Sequence, residues 1–279
     1  MARAPLAMPI VLYARAAGTL RRWLDRTDRL AAALLSAALT ADEKSALGVR
    51  LYDASPAGRG TALWPWEPGW LARRLPPPPA RILVGACGAG RELLALAAAG
   101  YTLDAFEPAP SLARLAQARI GERARVLSFR YEDLSAAILD GAHSPAAALA
   151  TRTYDAVLLG WSSLSHVLDP AERVRLLRAI DRLCPRGPLL ASFFCVPSSS
   201  NDAAAPGRIE RHAAAWGRRV ARMRKLPDAP SAREAFLLHG GFARVFTRSE
   251  IAALAAAVGR ELEWDDDDTD YGHATFVVR

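Results

Sequence analysis

A chain of 279 residues, 51% apolar and 23% charged, has enough material for one large α/β domain, or for a domain with an accessory piece. Its formal net charge is +7, but outside 208–225 the arginines are scattered among acids, which argues against a nucleic-acid footprint. Cys87, Cys184 and Cys195 lack metal-ligand or disulfide spacing, and no segment supplies the roughly twenty apolar residues of a bilayer span, so the expectation is a cytoplasmic protein with no metal and no membrane partner.

Residues 13–47 read as helix, because Leu20, Trp23, Leu24, Leu30, Leu34 and Leu35 recur at spacings near three and four. Thr40, followed by Asp42 and Glu43, marks the start of a next short element. "LYDASPAGRGTALWPWEPGW" is rich in glycine and proline and reads as a loop. With Tyr13, its Tyr52, Trp64, Trp66 and Trp70 serve as packing anchors or as faces on which an aromatic or cationic ligand could stack. "LPPPPA", 75–80, is a stiff linker. The boundary therefore falls between a helical, aromatic N-terminal extension, 1–80, and a main domain, 81–279.

From Arg81 strands and helices alternate: strand 81–85, helix 90–99, strand 101–107, helix 110–120, strand 124–130, helix 133–139, strand 154–160, helix 170–183 and strand 188–195. That rhythm predicts a parallel sheet with helices on both faces. It stops at an Arg-rich insertion, 196–246, with a helix at 208–224 whose polar side reads as a solvated face. His212 and His239 within it read as structural or exposed. Thr247 and Glu250 form a capping-box pattern for helix 248–258. A strand at 260–264, an acidic turn and a strand at 272–278 close the chain. "WDDDDTD", 264–270, lacks the interleaved spacing of a calcium loop and reads as a solvated turn.

The loop after the first strand is "GACGAG". A helix N-terminus there offers N–H groups to a ligand, and glycines let the ligand approach. The dinucleotide pattern fails because Leu93 stands where the third glycine belongs. The phosphate-loop pattern fails because Gly85–Gly90 is followed by Arg91 and Glu92. "ILVGACGAGRELLALAAAG" instead resembles motif I of class I S-adenosylmethionine-dependent methyltransferases, and the resemblance extends over roughly 81–279. Val84 stands where that motif has an acid, and Ala86 replaces its first glycine, with Gly85 beside it to restore backbone freedom.

The resemblance implies a seven-stranded, mostly parallel Rossmann-like sheet with helices on both faces, a helical N-terminal extension and a helical insertion after strand 5. It implies S-adenosylmethionine as cofactor, with S-adenosylhomocysteine as product. Gly85, Ala86, Gly88 and Gly90 then form the cofactor loop. Glu107, followed by Pro108 and 17 residues beyond Gly90, takes the ribose hydroxyls. Glu132 or Asp133 accepts from the adenine amino group, and Leu134 lines the ring. Gly160, Trp161 and Ser162, after the fourth strand, face cofactor and acceptor. His166 is the candidate general base, since an imidazole is largely free to accept a proton at neutral pH. The expected acceptor is a small molecule methylated on oxygen or nitrogen. An RNA or protein acceptor, or a non-catalytic cofactor-binding interaction protein, are the alternatives.

Overall fold

The computed structural model describes residues 7–196, 208–226, 233–266 and 271–278. The first helical stretch is two helices, α1 (Ala7–Ala38) and α2 (Ala41–Ala54). Thr40 separates them with a capping box. Its hydroxyl accepts the Glu43 N–H at 3.1 Å, and the Glu43 carboxylate accepts the Thr40 N–H at 2.8 Å. The break within 13–47 thus falls at the start read at Thr40. The loop after it is corrected: α2 runs on to Ala54, and α3 (Glu67–Arg74) forms within the aromatic segment. Pro68 sits in the first turn of α3, where its missing N–H costs nothing.

The alternating region gives β1 (Arg81–Gly85), α4 (Arg91–Ala98), β2 (Thr102–Phe106), α5 (Pro110–Ile120), β3 (Ala124–Leu127), α6 (Tyr131–Asp140), β4 (Ala156–Leu159), α7 (Pro170–Leu183) and β5 (Leu189–Phe194). Within the insertion, α8 (Arg208–Met223) is joined by a hairpin that the sequence reading missed, β6 (Glu234–Leu237) and β7 (Gly241–Arg244). The signal was present in "EAFLLHGGFARVF", two short apolar runs separated at Gly-Gly. Then follow α9 (Arg248–Ala256), β8 (Arg260–Trp264) and β9 (Tyr271–Val278).

The main sheet has seven strands in the order β3-β2-β1-β4-β5-β9-β8. Neighbours are parallel through β5, and β9 runs antiparallel to both β5 and β8. Side chains alternate across β1. Leu83 joins a core with Phe106, Leu134, Val157 and Leu177 on one face, while Ile82 and Val84 join Leu93, Leu103 and Leu190 on the other. Trp70 and Leu71 of α3 belong to the second cluster, although they precede the 75–80 linker. Tyr13 and Trp64 are exposed, and Trp66 stacks on His273 with ring centroids 4.3 Å apart.

The acidic turn is corrected in part. Asp265 is buried and accepts from Trp70 Nε1 at 3.0 Å, Arg74 Nε at 2.7 Å and Thr275 Oγ1 at 2.7 Å. Asp266 pairs with Arg248. Buried carboxylates need such partners, so these two serve as ties between α3, α9 and the closing strands. Asp267–Asp270 lie outside the described residues. Among the described residues no cluster of three or more His, Cys, Asp or Glu is placed to hold a metal ion.

Candidate functional site

Parallel strands leave their carboxyl ends open on one edge of the sheet, and ligands of such sheets bind there. Here that edge is roofed. α2 lies above it, and the β6–β7 hairpin lies beside α2. Gly48 and Gly241 let the two backbones meet, since a Cβ on Gly241 would lie 2.6 Å from the Gly48 Cα. Lys44 Nζ and Glu234 Oε2 form a buried ion pair at 2.7 Å between them, and Ser36 Oγ donates to the same oxygen at 2.5 Å. α1 packs along α8 and against β6. The N-terminal extension and the insertion thus hold each other over the sheet.

Beneath the roof lies one cavity of about 1030 Å³, its open mouth included. Of the residues expected to form the site, Ala86, Glu107, Pro108, Glu132, Trp161 and His166 line it. Ser162 lines it too.

Glu107 ends β2 and is 2% exposed. Its Oε2 accepts the Gly88 N–H at 2.7 Å and its Oε1 the Ala109 N–H at 2.9 Å. Burial pushes its carboxyl up to about 7, against the pull of those two N–H groups. A carboxylate has about four lone-pair positions, so each oxygen keeps one for a further donor.

The glycine loop differs from expectation. Gly85, Gly88, Gly90 and Gly160 are not on the cavity wall and are closely packed by their neighbours. A Cβ at Gly85 would lie 2.8 Å from the Phe106 ring, and one at Gly160 would lie 2.7 Å from the Ala86 carbonyl oxygen. Gly85 does not lend its freedom to Ala86, because Ala86 itself sits at φ +50°. The left-handed region costs a residue with a Cβ roughly 1–2 kcal/mol. Ala86→Gly should therefore raise stability by about 1 kcal/mol in a denaturant melt; an unchanged midpoint would show no strain there. The loop's N–H groups are also not all free. Gly88 donates to Glu107, and Ala89 donates to the Gly58 carbonyl at 2.9 Å, from the segment after α2.

At the start of α6 the two acids separate. Asp133 caps the helix, its Oδ2 accepting the Arg130 N–H at 2.8 Å. Glu132 faces the cavity, and burial raises its pKa. Leu134 is corrected from ring wall to core: it is fully buried among Leu83, Phe106 and Phe129. Glu132 and Leu134 are two residues apart, about 200° around the helix, so the side chain of Leu134 falls on the face opposite that of Glu132.

His166 lies in a 3-10 turn after β4, half-buried at the cavity's other end. Its Nδ1 lies 3.0 Å from the Phe242 carbonyl oxygen. A carbonyl only accepts, so Nδ1 carries the proton and Nε2 holds the free lone pair. Burial lowers the pKa of the ring, against that hydrogen bond, and keeps it neutral. Phe194, Leu237, His239 and Phe242 complete this end, and Tyr131, also on the wall, donates to Ser163 Oγ at 2.7 Å. His239 and His212 are both exposed, as read from the sequence, and His239 also borders the cavity. Three of these wall residues come from the missed hairpin, and only its pairing over the sheet edge brings them in.

No family model and no curated protein matches the sequence. Solved structures do resemble the chain. The amino pentose methyltransferase CalS10 of Micromonospora echinaspora, solved with S-adenosylmethionine bound, is 20% identical, with 82% of this chain and 96% of that one covered and a TM-score of 0.54. The CcbJ methyltransferase of Streptomyces caelestis is 16% identical over 88% and 98% of the two chains, with a TM-score of 0.54. The glycopeptide N-methyltransferase MtfA, complexed with S-adenosylmethionine, is 17% identical over 76% and 93%, with a TM-score of 0.51. Strand order, the antiparallel closing strand and this likeness agree: the chain has the Rossmann-like fold of the S-adenosylmethionine-dependent methyltransferases.

Proposed function

We propose that this protein is an S-adenosylmethionine-dependent methyltransferase acting on an oxygen or nitrogen atom of a small molecule. One observation carries the reading: a single roofed cavity joins Glu107, a buried carboxylate with a lone pair left on each oxygen, to His166, a neutral imidazole with Nε2 free. The first suits a vicinal diol such as a ribose, and the second suits a proton that must leave an acceptor.

When bound, the cofactor supplies a methyl group on a positively charged sulfur, open to in-line displacement. Glu107 would hold its ribose. Glu132 would accept from the adenine amino group, and Ala86, Trp161 and Ser162 would border the methionine arm. At the far end Phe194, Phe242 and Leu237 exclude water, which favours attack by the acceptor over hydrolysis. His166 Nε2 takes the acceptor's proton, and the Phe242 carbonyl holds the ring in that tautomer throughout. A roof made of α2 and the hairpin suits a small acceptor. The arginines of α8 are not part of the cavity wall.

Calorimetric titration with S-adenosylhomocysteine tests the reading directly; no binding at millimolar ligand would sink it. The two acids of α6 give a finer check. Glu132→Ala should weaken that binding roughly tenfold, as loss of one charge-assisted hydrogen bond. Asp133→Ala should leave binding unchanged and cost about 1 kcal/mol of stability through the lost cap. The reverse result would exchange their roles.

A further inference from the structure

The charge of this protein is not spread over it. α1 and α8 together carry ten arginines against Asp25, Asp28 and Glu210, a net +7 that equals the formal charge of the whole chain. Everything else sums to zero. These two helices pack on each other closely enough that a Cβ at Gly217 of α8 would overlap the Leu34 carbonyl of α1. They therefore present one basic unit.

That unit is also where large apolar side chains stand in water. On α8, Ile209, Trp216 and Met223 recur every seven residues, so they lie along one line of the helix. They are 48%, 63% and 74% exposed. The arginines at 218, 219 and 222 are exposed as well, and Gly217 and Ala221 are buried on the side that meets α1. The helix thus has three stripes: small residues against α1, arginines, and an apolar line with no need to exist on a solvated face. On α1 the pattern repeats. Residues 8–16 and 19–26 are exposed, and Leu20, Trp23 and Leu24 stand among Arg21, Arg22 and Arg26. α1 is 32 residues long, about 48 Å.

We infer that the paired helices α1 and α8 form a docking face for an anionic lipid surface, lying in the plane of the headgroups. Arginine stripes flanked by exposed tryptophan and aliphatic side chains are what binds at such an interface: the apolar line enters the acyl boundary and the guanidinium groups remain with the phosphates. No helix among the described residues is long and apolar enough to cross a bilayer, so the helices lie on the surface. A second copy of the chain is a poor occupant, because the contact would set +7 against +7. Nucleic acid would match the charge but leave Ile209, Trp216 and Met223 without an apolar partner. A lipid surface satisfies both halves of the pattern. The expectation of no membrane partner follows from the lack of a spanning segment, and a face that lies on a bilayer surface needs none.

Flotation of the full chain with phospholipid vesicles tests the inference. At low salt the protein should float with phosphatidylcholine vesicles containing about one third phosphatidylglycerol and remain below with pure phosphatidylcholine. High salt should weaken the binding. Arg218→Glu, Arg219→Glu and Arg222→Glu together should lower vesicle affinity roughly a hundredfold or more, at about a kilocalorie per mole for each basic residue lost. Trp23→Ser with Trp216→Ser should weaken it about tenfold or more by removing the apolar insertion. All five positions are exposed, so the melting temperature should stay within a few degrees of wild type. Failure of the wild type to float with anionic vesicles overturns the inference. So does binding indifferent to both sets of substitutions. Self-association in sedimentation that Trp216→Ser abolishes, or saturable binding of duplex DNA without vesicle binding, would assign the face to another occupant. None of these outcomes depends on cofactor binding, so the methyl-transfer reading stands or falls separately.

Discussion

Glu107→Ala should weaken S-adenosylhomocysteine binding by a hundredfold or more and lower stability as well. Two hydrogen bonds from a ribose to a carboxylate, each on the order of 1.5–3 kcal/mol, set the first effect. The second arises because the Glu107 side chain satisfies the Gly88 and Ala109 N–H groups, which alanine would leave without partners in a buried place. Binding and melting should be measured together. A loss of stability with affinity intact would restrict Glu107 to holding the loop. The pH dependence adds an independent readout. The carboxyl is pushed up to about 7 by burial, and only the ionised form accepts two hydroxyl protons. Affinity should be full above pH 7 and fall about tenfold for each pH unit below it. The same raised pKa makes the empty protein lose stability as pH climbs from about 4.5 through 7. In that window the folded state holds a proton that the unfolded chain has released.

His166→Ala should lower kcat by about 10²–10⁴ while leaving S-adenosylhomocysteine affinity unchanged, the range for loss of a general base. His166→Gln separates proton transfer from positioning. An amide can still donate to the Phe242 carbonyl and hold the turn, but it cannot take a proton from the acceptor, so its kcat should be as low as that of alanine. Recovery of the rate in the glutamine variant would make His166 a positioning residue. Burial lowers the imidazole pKa below its usual 6.5, so the basic form persists to lower pH. At saturating cofactor the acid limb of the rate should lie below pH 6.5, whereas cofactor affinity turns down near 7. Two limbs, one on kcat and one on binding, would reflect the two ends of one cavity.

Legibility from sequence followed how local each signal was. The alternation from Arg81 to Phe194 is local, since strands and helices are encoded in runs of four to fourteen residues, and the sheet followed from it. Glu107 was legible because its place is set by a strand end close in sequence to the loop it serves. The loop itself read less well. Gly88, Gly90 and Gly160 were expected at the ligand; they make turns and close contacts, and the cavity wall is made by neighbours with side chains. Adjacent acids such as Glu132 and Asp133 cannot be ranked by spacing. A helix start decides which one faces inward, and Asp133 took the cap.

By itself the sequence determined the order of strands and helices, the carboxylate at the end of β2 and the histidine after β4, because periodicity, capping and turn chemistry act over a few residues. Only the tertiary structure decided what covers them. Lys44 meets Glu234 across 190 residues, the Phe242 carbonyl selects the tautomer of His166, and Gly48 and Gly241 allow two backbones to touch. It also gathered the arginines of α1 and α8 into one basic face. Pairings between distant segments depend on shape, burial and charge summed over the folded molecule, and no short window of sequence contains that sum.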